Sequence, residues 1–170
     1  LWHCYEVHSE LSHPYKEEFL NNLNLILETT KNQINSLSHC IITLGTSWVY
    51  TNIESNEIVA NCHKVPQKHF RKELLSINQT EESLQNIVSL VHSLSPKCHF
   101  IFTVSPVRHI KDGFVENTLS KAHLIAAIHS VLNRKFSTSL ELTTQNNIYL
   151  PSYEIMMDEL RDYCFYGEDM

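Results

Sequence analysis

The sequence predicts an α/β protein in which helices flank a parallel sheet. Two short β-branched runs, residues 40–44 and 100–104, show no alternation of polar and apolar residues. Such runs are typical of parallel strands that are covered on both faces. Amphipathic segments separate them, and this order favours crossover connections. Because both runs end in small polar residues, we expect a functional site at the carboxyl edge of the sheet.

The composition indicates a single domain over residues 1–170. A chain of 170 residues is long enough for one core that buries roughly 70% of the unfolded surface. Mean hydropathy is -0.22, and no apolar run approaches the roughly 18 residues of a membrane span. The formal charge of -6, without a cluster of basic residues, argues against a nucleic-acid partner. The oligomeric state stays open.

The five cysteines favour a reducing compartment, because they are widely spaced and contain no C-x-x-C pair. The first residues show no basic stretch followed by an apolar one, so no signal peptide is visible. The sequence therefore predicts a cytoplasmic protein.

The first half of the chain is predicted to contain a helix, a strand and a pair of short extended segments. Residues 15–28 carry apolar side chains at spacings of three and four, the period of an amphipathic helix, with Pro14 at the front. Residues 41–44 follow as the first buried strand. Residues 48–50 and 58–60 enclose a turn-rich segment and form either a hairpin or two irregular extensions on the functional side of the sheet.

The second half is predicted to alternate helices and strands. Thr80 is the expected N-cap of a helix that stops before Pro96 and buries Leu84, Val88 and Val91. The elements that follow are a strand over residues 100–104, a helix over 118–136, a strand over 148–150 and a helix over 152–162. The apolar side of the third helix consists of Leu119, Ala122, Ile125, Ala126, His129 and Leu132.

The loop after the first strand, Gly45-Thr46-Ser47-Trp48, is a candidate site. It offers backbone N–H groups and a short hydroxyl at a sheet edge, the kind of donors that stabilise an oxyanion in acyl transfer. An ordinary tight turn capped by Ser47 is the alternative. We assign Gly45 and Ser47 to a candidate oxyanion pocket and Trp48 to substrate binding.

A second candidate site lies in the segment Asn61-Cys62-His63-Lys64. Alternate side chains of an extended segment share a face, so Asn61 and His63 are candidate pocket residues. A nucleophilic pair of Cys62 and His63 is a further alternative, although a base normally reaches its nucleophile across the fold. Upstream, His8 and Ser9 are candidates for a polar substrate-binding wall.

The loop after the second strand, Ser105-Pro106-Val107-Arg108-His109, is the third candidate site. Pro106 keeps Ser105 out of helical geometry and makes the loop rigid. The glycines of a Gly-x-Ser-x-Gly elbow are missing, so Ser105 is assigned to the pocket rather than as a nucleophile. Either Arg108 or His109 is expected to touch substrate, and His109 is assigned to substrate binding.

Three histidines near the start of the chain raise the question of a metal. His3, His8 and His13 recur every five residues, a spacing that fits neither a helix face nor a strand face. No carboxylate pattern accompanies them. We therefore expect neither a metal nor a cofactor.

Six ordered segments resemble one known family. They are Trp2 with residues 6–9, then residues 42–47, 61–64, 103–107, 150–154 and 167–170. Together they resemble the GSCFA-domain proteins, bacterial relatives of the SGNH/GDSL esterases and acyl hydrolases. The resemblance implies a three-layer flavodoxin-like (SGNH-type) fold and hydrolysis of a small-molecule or saccharide ester by a Ser-His-Asp triad.

The resemblance also implies roles for particular residues. By motif order Asp169 is the triad acid, and Gly45 with Ser47 stands near the oxyanion-hole block. The nucleophile motif Gly-Ser-Cys-Phe-Ala does not occur in these residues, and in the family the triad histidine follows the acid. We therefore expect the nucleophile and the histidine outside this chain, and a sheet incomplete at the N-terminus without the family's central strand. Without its nucleophile the chain alone is expected to be inactive.

A non-catalytic domain on the same fold, binding a glycan or an acylated polysaccharide, is the alternative function. Aromatic faces and polar tips are what a saccharide pocket needs. The sequence supplies aromatic faces in Trp2, Tyr15, Trp48 and Tyr50, and polar tips in His3, His8, Asn61 and His63.

Overall fold

The computed structural model describes residues 1–133, 147–162 and 164–165. Its strands are β1 (His39–Leu44), β2 (Trp48–Asn52), β3 (Ile58–Val59), β4 (Phe70–Leu74), β5 (His99–Val104) and β6 (Ile148–Leu150). Its helices are α1 (Lys16–Asn35), α2 (Ile77–Leu94), α3 (Phe114–Asn133) and α4 (Ser152–Glu154), the last continuing as a π-turn over Ile155–Glu159. Asp169 lies outside the described residues.

The chain divides into two compact units. Unit 1 comprises Leu1–Leu37 and Trp48–Leu75, and unit 2 comprises Ser38–Ser47 and Ser76–Met170. Each unit contains its own three-stranded sheet, with the strand order β3-β2-β4 in unit 1 and β1-β5-β6 in unit 2.

The sheet of unit 2 is parallel, which confirms an α/β protein with a parallel sheet. β1 and β5 pair along their whole length, from His39 opposite His99 to Leu44 opposite Val104, and β6 adds a short third strand beside β5. Phe100 and Phe102 of β5 are fully buried. Exposure alternates along β1, however, and Ile41 is 66% exposed. β1 is therefore not covered on both faces as its unalternated sequence predicts, and the three-layer arrangement stays a prediction.

Helix α2 begins four residues earlier than predicted. Ser76 is the N-cap and forms a capping box, in which Ser76 Oγ accepts from the Gln79 N–H (3.2 Å) and Gln79 Oε1 accepts from the Ser76 N–H (2.9 Å). Thr80 lies inside the helix, where its hydroxyl donates to Ser76 O (3.0 Å). The prediction of Thr80 as the cap is wrong because the Ser-x-x-Gln pattern satisfies the first backbone donors. The predicted burial of Leu84, Val88 and Val91 is confirmed.

Helix α3 buries a different side from the one that its apolar residues predict. Leu119 is 44% exposed, and Ala122 and His129 are also exposed. The buried residues are Asn117, Ser120, Lys121, Leu124, Ala127, Ile128 and Val131. The prediction fails because apolar residues occur nearly all round this helix, so hydrophobic periodicity does not select a side.

The sheet of unit 1 is antiparallel, and of the two alternatives for residues 48–50 and 58–60 it shows the hairpin, formed by β2 and β3. β4 also pairs with β2, from Trp48 opposite Leu74 to Asn52 opposite Phe70. The sequence did not predict β4, because its three central residues are charged and mimic a surface loop. Helix α1 is longer than predicted, and Phe19 is its buried residue.

Candidate functional site

Lys121 joins the loops that follow two neighbouring strands of unit 2. Its Nζ donates to Gly45 O (2.6 Å) after β1 and to Ser105 O (2.7 Å) after β5. The residue is 1% exposed, and its Nζ lies 5.8 Å from the centre of the Tyr153 ring. Loss of solvation lowers the pKa of Lys121 to about 8. The lysine thus fixes both loops at one point on the carboxyl edge of the sheet.

Ser120, the neighbour of Lys121 on α3, holds the same loop. The Ser47 N–H donates to Ser120 Oγ (2.8 Å), and Ser47 Oγ donates to Ser120 O (2.9 Å). Thr46 Oγ1 lies 2.9 Å from Ser120 Oγ. Ser47 is 1% exposed, so both of its polar groups serve to anchor the loop within unit 2.

Ser120→Ala is expected to lower the free energy of unfolding by about 1–3 kcal/mol, because it leaves the buried Ser47 N–H without an acceptor. Urea denaturation measures the change. Ser83→Ala is the matched control, since Ser83 is exposed on α2 and bonds only its own helix. That control is expected to stay within about 0.5 kcal/mol of the wild type. Equal effects in both variants would contradict the anchoring role.

His109 lies beside Gly45 at the same edge. A Cβ placed on Gly45 would be 3.7 Å from His109 Nε2, an ordinary contact distance. The His109 N–H donates to Asn117 Oδ1 of α3 (2.8 Å). Ser105 Oγ accepts from the Val107 N–H (3.2 Å), so the serine hydroxyl caps its own turn. Of the predicted site residues, unit 2 therefore brings Gly45, Ser47, Ser105 and His109 to one edge.

Unit 1 brings together three other predicted residues. Ser9 Oγ lies 3.1 Å from His63 Nδ1, and the Asn61 side-chain amide donates to Ser9 Oγ (3.3 Å). His63 Nε2 lies 2.8 Å from the carbonyl oxygen of Cys4. His8 points elsewhere, since its Nδ1 accepts from the Glu10 N–H (3.3 Å) and caps a short turn.

Two cavities of unit 1 border His63. The larger, about 600 Å³, is also lined by Ser9, Lys64, Val65 and Pro66. The smaller, about 360 Å³, is lined by Asn61 and Cys62 among others. The larger cavity has the size of a small-molecule site. Burial raises the pKa of the Cys62 thiol, which disfavours the thiolate that a cysteine nucleophile needs.

Lysines lie over the aromatic rings of unit 1 that the glycan-binding alternative would use. Lys72 Nζ lies 5.1 Å from the ring centre of Trp48 and 6.0 Å from that of Tyr50. Lys16 Nζ lies 5.2 Å from the ring of Trp2. A sugar would need the opposite faces of these rings, and glycan binding stays a prediction.

Three residues that build the edge of unit 2 were not among those predicted from the sequence. Asn117, Ser120 and Lys121 lie on one stripe of α3 at spacings of three and four, in line with the buried Leu124. A polar stripe on an otherwise apolar helix was the available signal. Lysine side chains are almost never fully buried in proteins, so nothing in the sequence was a reason to place Lys121 in the interior.

Two negative findings apply to the described residues alone. Within them, no group of three or more His, Cys, Asp or Glu side chains is arranged to hold a metal ion. Among their helices, none combines the length and the apolar character that crossing a membrane requires.

Comparison with known proteins identifies the family. The model of the GSCFA family matches residues 1–170, the whole of the chain. No curated protein and no solved structure matches the chain significantly. The match spans both units and all of the segments that carried the resemblance. The chain belongs to the GSCFA family.

Proposed function

We propose that this protein is an ester or acyl hydrolase of the SGNH type, with Asp169 as the acid of a Ser-His-Asp triad. The proposal is carried by Lys121, whose Nζ bonds the carbonyl groups of Gly45 and Ser105 and so joins two strand-end loops. In open α/β sheets, ligands bind outside the carboxyl ends of the strands. The likeness of the GSCFA family to the SGNH esterases supplies the reaction class.

The loops are suited to acyl transfer for a physical reason. An oxyanion hole needs donors that are fixed before the charge develops, so that no reorganisation is required during the reaction. Lys121 and Ser120 fix the backbone of residues 45–47 in this way. The Ser47 N–H already donates to Ser120 Oγ, so Ser47 holds the loop in position and does not itself supply a donor to the oxyanion. Because Gly45 has no side chain, substrate can approach the loop beside His109.

The proposal predicts turnover of short-chain 4-nitrophenyl esters by the full-length protein, together with labelling by a serine-directed fluorophosphonate. Turnover is measured by release of nitrophenolate, and labelling by intact-protein mass spectrometry. Heat-unfolded protein is the control, since it retains the serines but not the site. Absence of both turnover and labelling in the folded protein would refute the hydrolase proposal.

Gly45→Ala tests the location of the site. The added methyl meets His109 Nε2 at an ordinary contact distance, and Gly45 does not have a positive φ, so the fold is expected to tolerate it. The methyl narrows the approach to the loop, and kcat/KM for 4-nitrophenyl esters is expected to fall by about tenfold or more. An unchanged Tm shows that the fold is intact. Unchanged turnover in this variant would place the active site elsewhere.

A further inference from the structure

We propose that Ser9 is an activated nucleophile, with His63 as its general base, in a second acyl-transfer site contained within unit 1. The site rests on the contacts of Ser9, His63, Asn61 and the Cys4 carbonyl, and it does not depend on the proposed triad. Its substrates are small carboxylic esters that enter the cavity of about 600 Å³ beside Ser9.

The hydrogen bonds of His63 determine which of its nitrogens acts as the base. The Cys4 carbonyl can only accept, so at 2.8 Å His63 Nε2 carries a proton and donates it. In the neutral ring Nδ1 is then unprotonated. Nδ1 therefore accepts from the Ser9 hydroxyl, 3.1 Å away. This is the arrangement of a nucleophile, a base and a group that orients the base, with a backbone carbonyl in the place of the usual carboxylate.

Asn61 completes the environment of Ser9 Oγ. Its Oδ1 accepts from the His63 N–H (2.7 Å), which fixes the amide orientation and turns Nδ2 towards Ser9. A hydroxyl oxygen has two lone pairs, and Asn61 uses one of them. With the proton directed at His63, the other lone pair is free to attack a carbonyl carbon.

The base is held in place by the backbone and by neighbouring rings. His63 has a φ of 51°, in the left-handed region that side-chain-bearing residues rarely adopt. The Asn61 bond to its N–H stabilises that turn. The ring centres of His3 and Tyr5 lie 4.5 and 6.0 Å from that of His63. Strained backbone of this kind persists where the surroundings fix it, and it is concentrated at functional sites.

The cavity indicates the class of substrate. Val65 and Pro66 supply an apolar wall, and Lys64 supplies a cation. A short acyl chain can pack on the apolar wall while the polar oxygens of the ester face Lys64. Ser9 itself is exposed, so the ester reaches its hydroxyl without any opening of the fold.

The reaction balances without a cofactor. Ser9 Oγ forms a bond to the ester carbonyl carbon while its proton moves to His63 Nδ1. The carbon–oxygen bond to the alcohol then breaks, and the alcohol leaves with that proton. Water next attacks the acyl-serine, giving one proton to His63 Nδ1, which returns it to Ser9 Oγ as the carboxylic acid leaves.

The test locates the labelled serine. The full-length protein is treated with a fluorophosphonate and separately with 4-nitrophenyl acetate, and tandem mass spectrometry maps the modified residue. We expect both reagents to modify Ser9, and prior acetylation to block phosphonylation there. His63→Gln is expected to slow modification of Ser9 by about 10²-fold or more. Ser55→Ala is the matched control, since Ser55 is an exposed serine of the same unit in the turn between β2 and β3, outside the cavity, and it should leave the rate at Ser9 unchanged.

Two results would overturn the inference: no modification of Ser9 in the folded wild type, or an unchanged rate in His63→Gln. Mapping the modified residue in the wild type needs no variant, so it tests the inference even if His63→Gln unfolds. Asp169→Asn separates this site from the triad, because it is expected to leave modification of Ser9 unaltered. Failure at Ser9 with ester turnover that depends on Asp169 would refute this inference alone and leave the proposed function standing.

Discussion

Asp169→Asn, made in a Ser9→Ala background so that the inferred second site is silent, is expected to lower kcat for 4-nitrophenyl ester hydrolysis by the full-length protein by about 10³–10⁴-fold. In a Ser-His-Asp triad the carboxylate holds the histidine in the productive tautomer and stabilises the imidazolium that forms. An asparagine keeps the size of the side chain but removes the charge. KM is expected to change little, since the carboxylate acts on the transition state and not on substrate binding.

Glu168→Gln is the matched control for this prediction. It removes one negative charge from the adjacent position and leaves the proposed acid in place. Turnover is expected to stay within about twofold of the wild type, because the proposed acid keeps its carboxylate. Equal losses in the two variants would indicate a general effect of charge, and full activity in Asp169→Asn would remove Asp169 from the triad.

Lys121 is expected to make the protein more stable as the pH rises from about 8 to 10.5. The unfolded chain keeps the lysine proton up to about pH 10.5, whereas the folded protein releases it near pH 8, because loss of solvation lowers the pKa. Between these values the unfolded state binds more protons, and stability rises with pH. The shift corresponds to about 3 kcal/mol, a penalty that is fully present below pH 8 and absent above 10.5.

The measurement compares the wild type with Lys121→Met by urea denaturation between pH 7 and 10.5. Other groups ionise in this range, but they do so in both proteins, so the difference between the two free energies of unfolding isolates Lys121. That difference is expected to move by about 3 kcal/mol in favour of the wild type as the pH rises. Lys97→Met, at an exposed position of the same unit, is expected to follow the wild-type curve. If the difference in free energy of unfolding between the wild type and Lys121→Met did not change with pH, the desolvated state of Lys121 would be contradicted.

Within unit 1, sequence spacing predicted only part of the contacts among the candidate site residues. Asn61 and His63 were expected to share a face because they are alternate residues, and both do bond to Ser9. Ser9 lies 54 positions away from His63 in the sequence. Residue spacing predicts contacts only within one helix or strand, so it could not predict this pair. The Cys4 carbonyl is a backbone group, so no residue type signals its role.

The sequence by itself determined the parallel strands and the buried face of α2, because these follow from local β-propensity and the period of apolar residues. It also determined the family, since the order of the six segments along the chain can be recognised without knowing which residues they contact. Only the tertiary structure decided which side of α3 is buried, and with it the placement of Ser120 and Lys121 beneath the strand-end loops. Apolar residues all round a helix do not favour the burial of one side. In α3 the buried side is instead the one whose polar groups have hydrogen-bond partners, because buried polar groups need such partners.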